Sequence, residues 1–308
     1  MAKKIVAAAD IDRSFHERAA GDARFEIVDR PVRTESGLMA IVADCQILVT
    51  RSFNRVTRAV IEHAPHLELI AQGTSGTDNI DHAAARERGI TVLNLPGANA
   101  DAVAEWVIGI MIALTRTVPA YSREVARGLW NRDACATRHE LRHYRLGIVG
   151  LGEVGRRVAK LAAAFRMRVA AVDPYITGAD FVERGALRVR SLDELLRHND
   201  IVTLHVPLTE ETRRMIGAAQ IESMARGSFL INAARGEVLD QAAALGALES
   251  KHLAGLALDV FDPEPPCAGF PDDPRLILTP HIAGCTHEAK TSIGAKLYET
   301  IAAFYTGR

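Results

Sequence analysis

The chain has 308 residues, 48% of them hydrophobic and 24% charged, which is enough apolar material for more than one buried core. Its 37 Lys and Arg residues and 38 Asp and Glu residues leave a net charge of -1. That balance excludes a broad basic surface, so we expect neither nucleic acid nor a membrane among its partners. The composition predicts an ordered protein of two domains rather than a disordered chain.

The amino terminus shows no secretory signal, because Ala2-Lys3-Lys4 leads directly into a short apolar strand. No apolar run approaches the roughly 18 residues needed to span a bilayer. The four cysteines are far apart, without a C-x-x-C pair, at Cys45, Cys135, Cys267 and Cys285. This spacing favours reduced, structural cysteines and no metal site, and we expect a cytoplasmic protein.

Short aliphatic runs alternate with helical patterns along the first third of the chain. The runs predicted to be strands are Lys4–Ala9, Phe25–Asp29, Ile47–Thr50, Leu67–Ala71 and Thr91–Leu95. A second series of runs starts at Leu146 and continues through Arg168–Asp173, Ile201–Val206, Phe229–Ala233, Leu256–Val260 and Leu276–Thr279. Such alternation predicts two parallel sheets, each covered by helices on both faces.

Three segments outside these strands carry clear patterns. Ala98–Leu114 is predicted to be a long helix that is apolar on more than one side, which indicates either a buried helix between domains or the interface of a homodimer. Thr286–Thr306 is a second predicted helix, whose apolar stripe favours a return to the first unit. Asp262–Pro274 contains five prolines and must be a loop.

A dinucleotide-binding fingerprint follows the strand that starts at Leu146. Gly150, Gly152 and Gly155 have G-x-G-x-x-G spacing, and a helical pattern follows them. The first glycine permits a tight turn, the second lets the backbone approach a pyrophosphate, and the third lets the helix pack on the strand. The next strand ends at Asp173, a carboxylate that would bind the adenosine ribose and repel a 2′-phosphate, which favours NAD over NADP.

Six ordered blocks then identify a resemblance over nearly the whole length. They are Gly76–Asp81, Gly150–Gly155, His205–Thr212, Asn232–Gly236, Leu258–Pro265 and Thr279–Gly284. The chain resembles the D-isomer-specific 2-hydroxyacid dehydrogenase family, close to its short phosphoglycerate dehydrogenase-like members. The resemblance implies an α/β fold of two Rossmann-like domains with the active site in the cleft between them. An NAD-binding domain, 99–285, would be inserted into a flavodoxin-like substrate domain, 1–98 with 286–308.

The resemblance also implies three catalytic residues. Arg235 would clamp the substrate carboxylate through paired hydrogen bonds, His281 would exchange a proton with the C2 oxygen, and Glu264 would orient and charge the histidine. Each side chain has a plainer interpretation when taken alone. Arg235 would then be a surface arginine paired with an acid, His281 a packed histidine, and Glu264 a solvated loop acid.

The remaining site residues are carried over from the same motifs. Predicted cofactor contacts are Gly150, Gly152, Glu153, Val154, Gly155, Asp173, His205, Pro207, Thr212, Ala233, Asp259 and Val103. Within this set Asp259 is expected near the nicotinamide carboxamide, and His205 has the alternative of a packed strand-end histidine. Predicted substrate contacts are Arg51, Ser52, Thr74, Ser75, Gly76 and Arg235.

The sequence leaves the substrate open. Arg51–Thr57 resembles a phosphoglycerate dehydrogenase segment in which Arg51 and Arg55 would meet a substrate phosphate, but Gln72 stands where those enzymes often carry another arginine. The chain also ends without the serine-sensing extension of longer relatives. We therefore expect a general 2-hydroxyacid dehydrogenase, with 3-phosphoglycerate, hydroxypyruvate and glyoxylate as candidates. An NAD-responsive binding protein and a dehydrogenase of an inorganic anion are the other hypotheses.

Overall fold

The structure is a computed structural model that describes residues 2–133 and 138–306. Cys135, one of the cysteines predicted to be structural, lies outside these residues. The chain divides into two compact units. The first takes the residues up to Asn99 and those from Cys285 onward, and the second takes Ala100–Gly284.

The first unit is built on a five-stranded parallel sheet. Its strands are β1 (Lys3–Ala7), β2 (Phe25–Asp29), β3 (Ile47–Thr50), β4 (Leu69–Gln72) and β5 (Thr91–Leu93). They lie in the order β2-β1-β3-β4-β5. This is the flavodoxin-like order, which confirms the predicted class of the first sheet.

Five α-helices belong to the described residues of this unit, and polar caps begin four of them. They are α1 (Arg13–Ala19), α2 (Glu35–Ile41), α3 (Arg58–Glu62), α4 (His82–Glu87) and α12 (His287–Thr306). The side chains that accept a backbone N–H at the starts of α1 to α4 are Asp12, Thr34, Thr57 and Asp81. The apolar stripe of α12, including Ile293, Leu297 and Ile301, is buried with Phe15 in the core of this unit.

The second unit has a seven-stranded parallel sheet. Its strands are β6 (Arg145–Val149), β7 (Arg168–Val172), β8 (Leu187–Arg188), β9 (Ile201–Leu204), β10 (Ser228–Asn232), β11 (Leu253–Leu258) and β12 (Leu276–Leu278). The order β12-β11-β10-β9-β6-β7-β8 contains the dinucleotide-binding arrangement, with β12 added at one edge. The strand order reverses between β6 and β9, and the predicted Rossmann-like class is confirmed.

In the part of this unit that the structure describes, seven α-helices cover the sheet. They are α5 (Ala100–Thr115), α6 (Val118–Ala126), α7 (Glu153–Ala164), α8 (Gly178–Glu183), α9 (Leu192–His198), α10 (Ala218–Ser223) and α11 (Gln241–Glu249). Most apolar side chains of α5 are buried in the core of this unit, so they pack against other residues of the same unit. Exposed large apolar side chains follow it instead, at Val118, Val125, Leu129 and Trp130. Of the two alternatives for this helix, burial in a core is observed, within one unit, and a homodimer interface at α5 stays a prediction.

No single helix in the described part of the chain is long and apolar enough to cross a membrane. Helices α5 and α6, which meet at a 61° bend, pass that test only when taken together, and only on length and composition.

The predictions from sequence did not include strand β8 or helix α6, and they made several strands longer than the structure shows. Strand β8 consists of two exposed residues, so the sequence contains no aliphatic run that would predict it. Helix α6 has no buried residue and therefore lacks the apolar face that a core helix shows. Several predicted strands extend past the observed carboxyl ends, as at Ala9 and Asp173. The chain stops pairing with the neighbouring strand before these residues, but they are still apolar or partly buried, so the sequence pattern continues.

Candidate active site

The glycine loop between β6 and α7 leaves room for a cofactor. Gly150 has a φ of 89°, and a Cβ there would lie 2.7 Å from the carbonyl oxygen of His205. A Cβ on Gly155 would lie 2.1 Å from the carbonyl oxygen of Gly150, so helix and loop pack backbone to backbone. A Cβ on Gly152 would meet nothing within 4 Å. That space adjoins the unpaired amides of the first turn of α7, a suitable place for a pyrophosphate.

Asp173 lies beside this loop. Its Oδ2 accepts the N–H of Leu151 at 2.9 Å, and its Oδ1 accepts the N–H of Tyr175 at 3.0 Å. A carboxylate has about four acceptor positions, so both oxygens keep capacity for ribose hydroxyls. The residues present therefore fit the adenosine half of NAD.

A second carboxylate near Asp173 was not predicted from the sequence. The hydroxyl of Tyr175 donates to Oε2 of Glu211 at 2.7 Å, which joins the loop after β7 to the loop after β9. The pKa of Tyr175 is raised, first by this hydrogen bond and also by the charges of Glu211 and Asp173. No sequence signal marked Glu211, because its partner lies 36 residues away in the chain.

Glu153 begins α7 and would place a negative charge near a pyrophosphate if it were alone. Its carboxylate instead accepts hydrogen bonds from Arg156 and Arg157, both at 2.7 Å. These bonds lower the pKa of Glu153 to about 2. Arg157 also contacts Asp101 of α5 at 2.7 Å. The carboxylate is therefore charged but paired.

The turn after β9 is held by its own side chains. The Nε2 atom of His205 lies 3.0 Å from the hydroxyl of Thr203, and burial lowers the pKa of His205 to about 3. The ring is therefore neutral near pH 7, as the packed strand-end interpretation requires. The Thr212 hydroxyl donates to the carbonyl oxygen of Pro207 at 2.6 Å and closes the turn.

His281 and Glu264 form the pair that the sequence predicted. Nδ1 of His281 lies 2.7 Å from Oε1 of Glu264, and about a third of each side chain is exposed. His281 has a φ of 54°, a left-handed conformation that non-glycine residues adopt at a free-energy cost of about 1–3 kcal/mol. Such strain persists only where the surrounding contacts impose it.

Asp259 supplies those contacts. Its backbone oxygen accepts the N–H of His281 at 2.8 Å. Its buried carboxylate accepts the Thr279 hydroxyl at 2.5 Å and the N–H groups of Ile282 and Ala283 at 2.8 and 2.9 Å. Burial raises the pKa of Asp259, while these hydrogen bonds oppose the rise. Sequence reasoning missed this connection to the histidine segment and expected Asp259 near the nicotinamide only.

Arg235 follows β10 in a turn that Asn232 organises. The Asn232 amide donates to the carbonyl oxygen of Arg235 at 2.9 Å, and its Oδ1 accepts the N–H of Ala234 at 3.0 Å. The Arg235 guanidinium is half-buried, and its Nη1 donates to the oxygen of Ala234 at 2.8 Å. Gly236 then packs against the backbone of Phe261, which brings this turn against the loop of Glu264.

Most predicted cofactor and catalytic residues therefore lie at the carboxyl edge of one sheet, after β6, β7, β9, β10, β11 and β12. Ala233 follows β10 and is half-buried, and Val154 packs on the core from the first turn of α7. Val103 is the exception, because its side chain is buried in the core around α5. Its contact with nicotinamide stays a prediction.

In the first unit, Gln72 organises the loop predicted to bind substrate. Gln72 is fully buried and donates to the Thr74 hydroxyl at 2.9 Å, the Gly76 carbonyl at 3.1 Å and Oδ1 of Asn79 at 2.9 Å. Its Oε1 accepts the hydroxyl of Thr50. The neighbouring Ser75 hydroxyl donates to the oxygen of Leu95 at 3.1 Å.

Arg51 and Ser52 lie in the loop after β3. The Arg51 side chain is half-buried and runs beside Gly73. Within residues 2–133 and 138–306, its guanidinium has no hydrogen-bond or salt-bridge partner. Ser52 and Arg55 are exposed.

Comparison with known proteins identifies the second unit. Residues 108–283 match the NAD-binding domain of the D-isomer specific 2-hydroxyacid dehydrogenases. A D-3-phosphoglycerate dehydrogenase of Methanocaldococcus jannaschii is 40% identical over 273 residues, which cover 87% of this chain and 51% of that protein. The chain thus spans about half the length of that relative. A hydroxypyruvate reductase of Thermotoga maritima is 38% identical over 272 residues, 86% of each chain.

The fold comparison agrees with this relationship. A D-lactate dehydrogenase from Aquifex aeolicus, solved in complex with NAD and lactic acid, superposes with a TM-score of 0.86 and 27% identity over 99% of this chain and 96% of that one. With the family match over more than half of its length, the chain belongs to the D-isomer-specific 2-hydroxyacid dehydrogenase family.

Proposed function

We propose that the protein is an NAD-dependent oxidoreductase that transfers hydride between NAD(H) and C2 of a small 2-hydroxy or 2-keto acid of the D type. The observation that best supports this function is the 2.7 Å contact between Nδ1 of His281 and Oε1 of Glu264, at the sheet edge where the glycine loop also lies. A bound nicotinamide would supply or accept the hydride. The chain's own residues would bind the acid and move the proton.

The proposed roles follow from which atoms are engaged. A carboxylate only accepts hydrogen bonds, so Glu264 holds the Nδ1–H of His281, and Nε2 is the proposed atom that exchanges a proton with the C2 oxygen. Arg235 presents a guanidinium, whose planar fork suits a carboxylate. Asp259 and the left-handed conformation at His281 keep the imidazole in place.

The first unit bears on which acid is used. Gln72 offers the substrate no charge, and its amide is engaged by protein groups, which favours an unphosphorylated acid such as hydroxypyruvate or glyoxylate. Arg51 favours a second candidate, 3-phosphoglycerate, because its guanidinium has no partner in the described part of the chain. Thr74, Ser75 and Gly76 remain the proposed backbone contacts.

A panel of 2-keto acids with NADH tests this function, and it should include hydroxypyruvate, glyoxylate and phosphohydroxypyruvate. We expect turnover of at least one, and a fall of at least about a hundredfold in kcat for His281→Ala with nearly unchanged NADH affinity. His198→Ala, an exposed histidine of α9, is the matched control. NADH binding without turnover on any acid would instead support an NAD-responsive binding protein.

We also propose a homodimer in the cytoplasm. The exposed apolar side chains of Val118, Val125, Leu129 and Trp130 support self-association. Light scattering on the purified chain tests the dimer, and Trp130→Glu should shift it towards the monomer.

Burial raises the pKa of Cys45 to about 12, so this cysteine stays a protonated thiol, as a structural role requires.

A further inference from the structure

A cavity of about 390 Å³ lies at the edge of the seven-stranded sheet where its central strands begin. The ends of α5 and α7 line it, together with the segment before β6. The glycine loop follows the opposite end of β6, and Asp173 follows the opposite end of β7; both strands are five residues long. Such strands span roughly 15 Å, so this cavity is separate from the proposed cofactor site.

The lining of the cavity is basic. Arg116, Arg142 and Arg166 contribute three guanidiniums, against one carboxylate from Glu140. Arg142 is paired with Glu140, with 2.5 Å between Nε and Oε2. Two positive charges are therefore left without a compensating carboxylate among the lining residues. The ion pair between Arg142 and Glu140 therefore does not neutralise the charge of the cavity lining.

Arg116 and Arg166 are the two uncompensated cations. Across the described ranges, neither guanidinium has a hydrogen bond or a salt bridge to another group. Both follow the end of a helix, where a basic side chain often bonds the last carbonyls. Since neither makes such a bond here, capping of α5 and α7 does not account for their position.

The backbone of Arg166 gives a second, independent observation. Its φ is 59°, and it occupies the left-handed position after α7, where the N–H groups of Arg166 and Met167 bond to Ala163 and Ala162. Glycine is the favoured residue there. It occurs at the corresponding place after α4, α6 and α8, as Gly89, Gly128 and Gly185, whereas α11 is followed there by Lys251 with a φ of 58°. A charged side chain is thus kept where its backbone conformation is unfavourable.

We propose that this cavity binds a small multivalent anion with an apolar body, either a dicarboxylate or a phosphate ester. The guanidiniums would hold the charged groups through charge-assisted hydrogen bonds. Phe165, which is 42% exposed, and Ile112 supply the apolar part of the wall. The volume lies within the range of small-molecule pockets, about 300–1,000 Å³.

Calorimetric titration of the full chain saturated with NADH tests the proposal. The probes are isophthalate, phenyl phosphate and uncharged isophthalamide, so the first two distinguish the anion types and the third tests the need for charge. We expect one or both anions to bind and the amide not to bind. Arg116→Gln with Arg166→Gln should weaken that binding at least about tenfold. NADH affinity and turnover should stay unchanged.

Two further variants separate binding from folding. Arg168→Gln removes an exposed arginine at the same sheet edge but outside the cavity lining, and should bind the anions normally. Arg166→Gly should weaken binding while its melting temperature equals or exceeds that of the parent chain. The proposal is overturned if neither anion binds the parent chain, or if the double variant binds the anions as tightly as the parent chain does. It is also overturned if the anions bind the monomer but not the self-associated chain.

Discussion

The carbonyl oxygen of Phe261 lies 1.9 Å from the position that a Cβ on Gly236 would occupy. No side chain fits that space, so the turn that carries Arg235 and the loop that carries Glu264 are in direct backbone contact. The glycine of the Asn232–Gly236 block therefore sets the relative position of two proposed catalytic residues without touching a substrate.

Replacing Gly236 with Ala should separate these two loops. We expect kcat/KM to fall at least about a hundredfold, because displacements of about 1 Å are enough for losses of that size. Steady-state kinetics on the acid found in the panel measure this. Gly246→Ala is the control, since a Cβ there meets nothing within 4 Å and lies inside α11. It should stabilise the protein by up to about 1 kcal/mol. Normal kinetics for the Gly236 variant would show that the loops adjust freely.

Asp259→Asn tests whether this residue holds the histidine segment or contacts the cofactor. The amide keeps one oxygen and replaces the other with an NH₂ group, so it loses either the bonds that Oδ1 accepts from Thr279 and Ile282 or the bond that Oδ2 accepts from Ala283. We expect a loss of about 1–3 kcal/mol in unfolding free energy. We also expect kcat to fall while NADH affinity changes little. Thr279→Val, which removes one of these bonds, should show the same pattern more weakly. A parallel loss of NADH affinity would favour the carboxamide contact instead.

The neutral ring of His205 predicts a pH dependence of stability. Burial lowers the pKa of His205 from 6.5 to about 3, so below pH 6.5 the unfolded chain binds a proton that the folded chain does not. This contribution is complete above pH 6.5 and is lost progressively towards pH 3, by at most about 1.4 kcal/mol per pH unit. Urea unfolding at several pH values should therefore show a flatter profile for His205→Gln. His198→Gln, at an exposed position, should match the parent chain, and identical profiles for both variants would contradict the assignment.

Asp173→Ser should relax the preference for NAD over NADP, because it removes the charge that repels a 2′-phosphate. It should also weaken binding of both cofactors, since Oδ2 no longer holds the N–H of Leu151. The ratio of kcat/KM with NADH and NADPH measures the preference, with Asp180→Ser on the following helix as control. If NADPH stays equally excluded, Glu211→Gln identifies whether the carboxylate bound by Tyr175 sets the choice.

Several features followed from the sequence alone because their causes are local. Alternating apolar runs and helical periods depend on neighbours a few residues apart, so they predicted two parallel α/β units. The spacing of Gly150, Gly152 and Gly155 predicted a phosphate-binding turn, since only glycine permits those backbone approaches. The resemblance then supplied His281 and Glu264 as a pair, although 17 residues separate them.

Tertiary structure decided the features that depend on partners distant in the chain. Asp259 holds a segment more than 20 residues away, and Glu211 meets Tyr175 across 36 residues. The burial that neutralises His205 and the backbone contact at Gly236 likewise arise only when separate strand ends meet at one edge. Hydrogen bonding and desolvation depend on distance in space, whereas a sequence pattern records order along the chain, and folding alone relates the two.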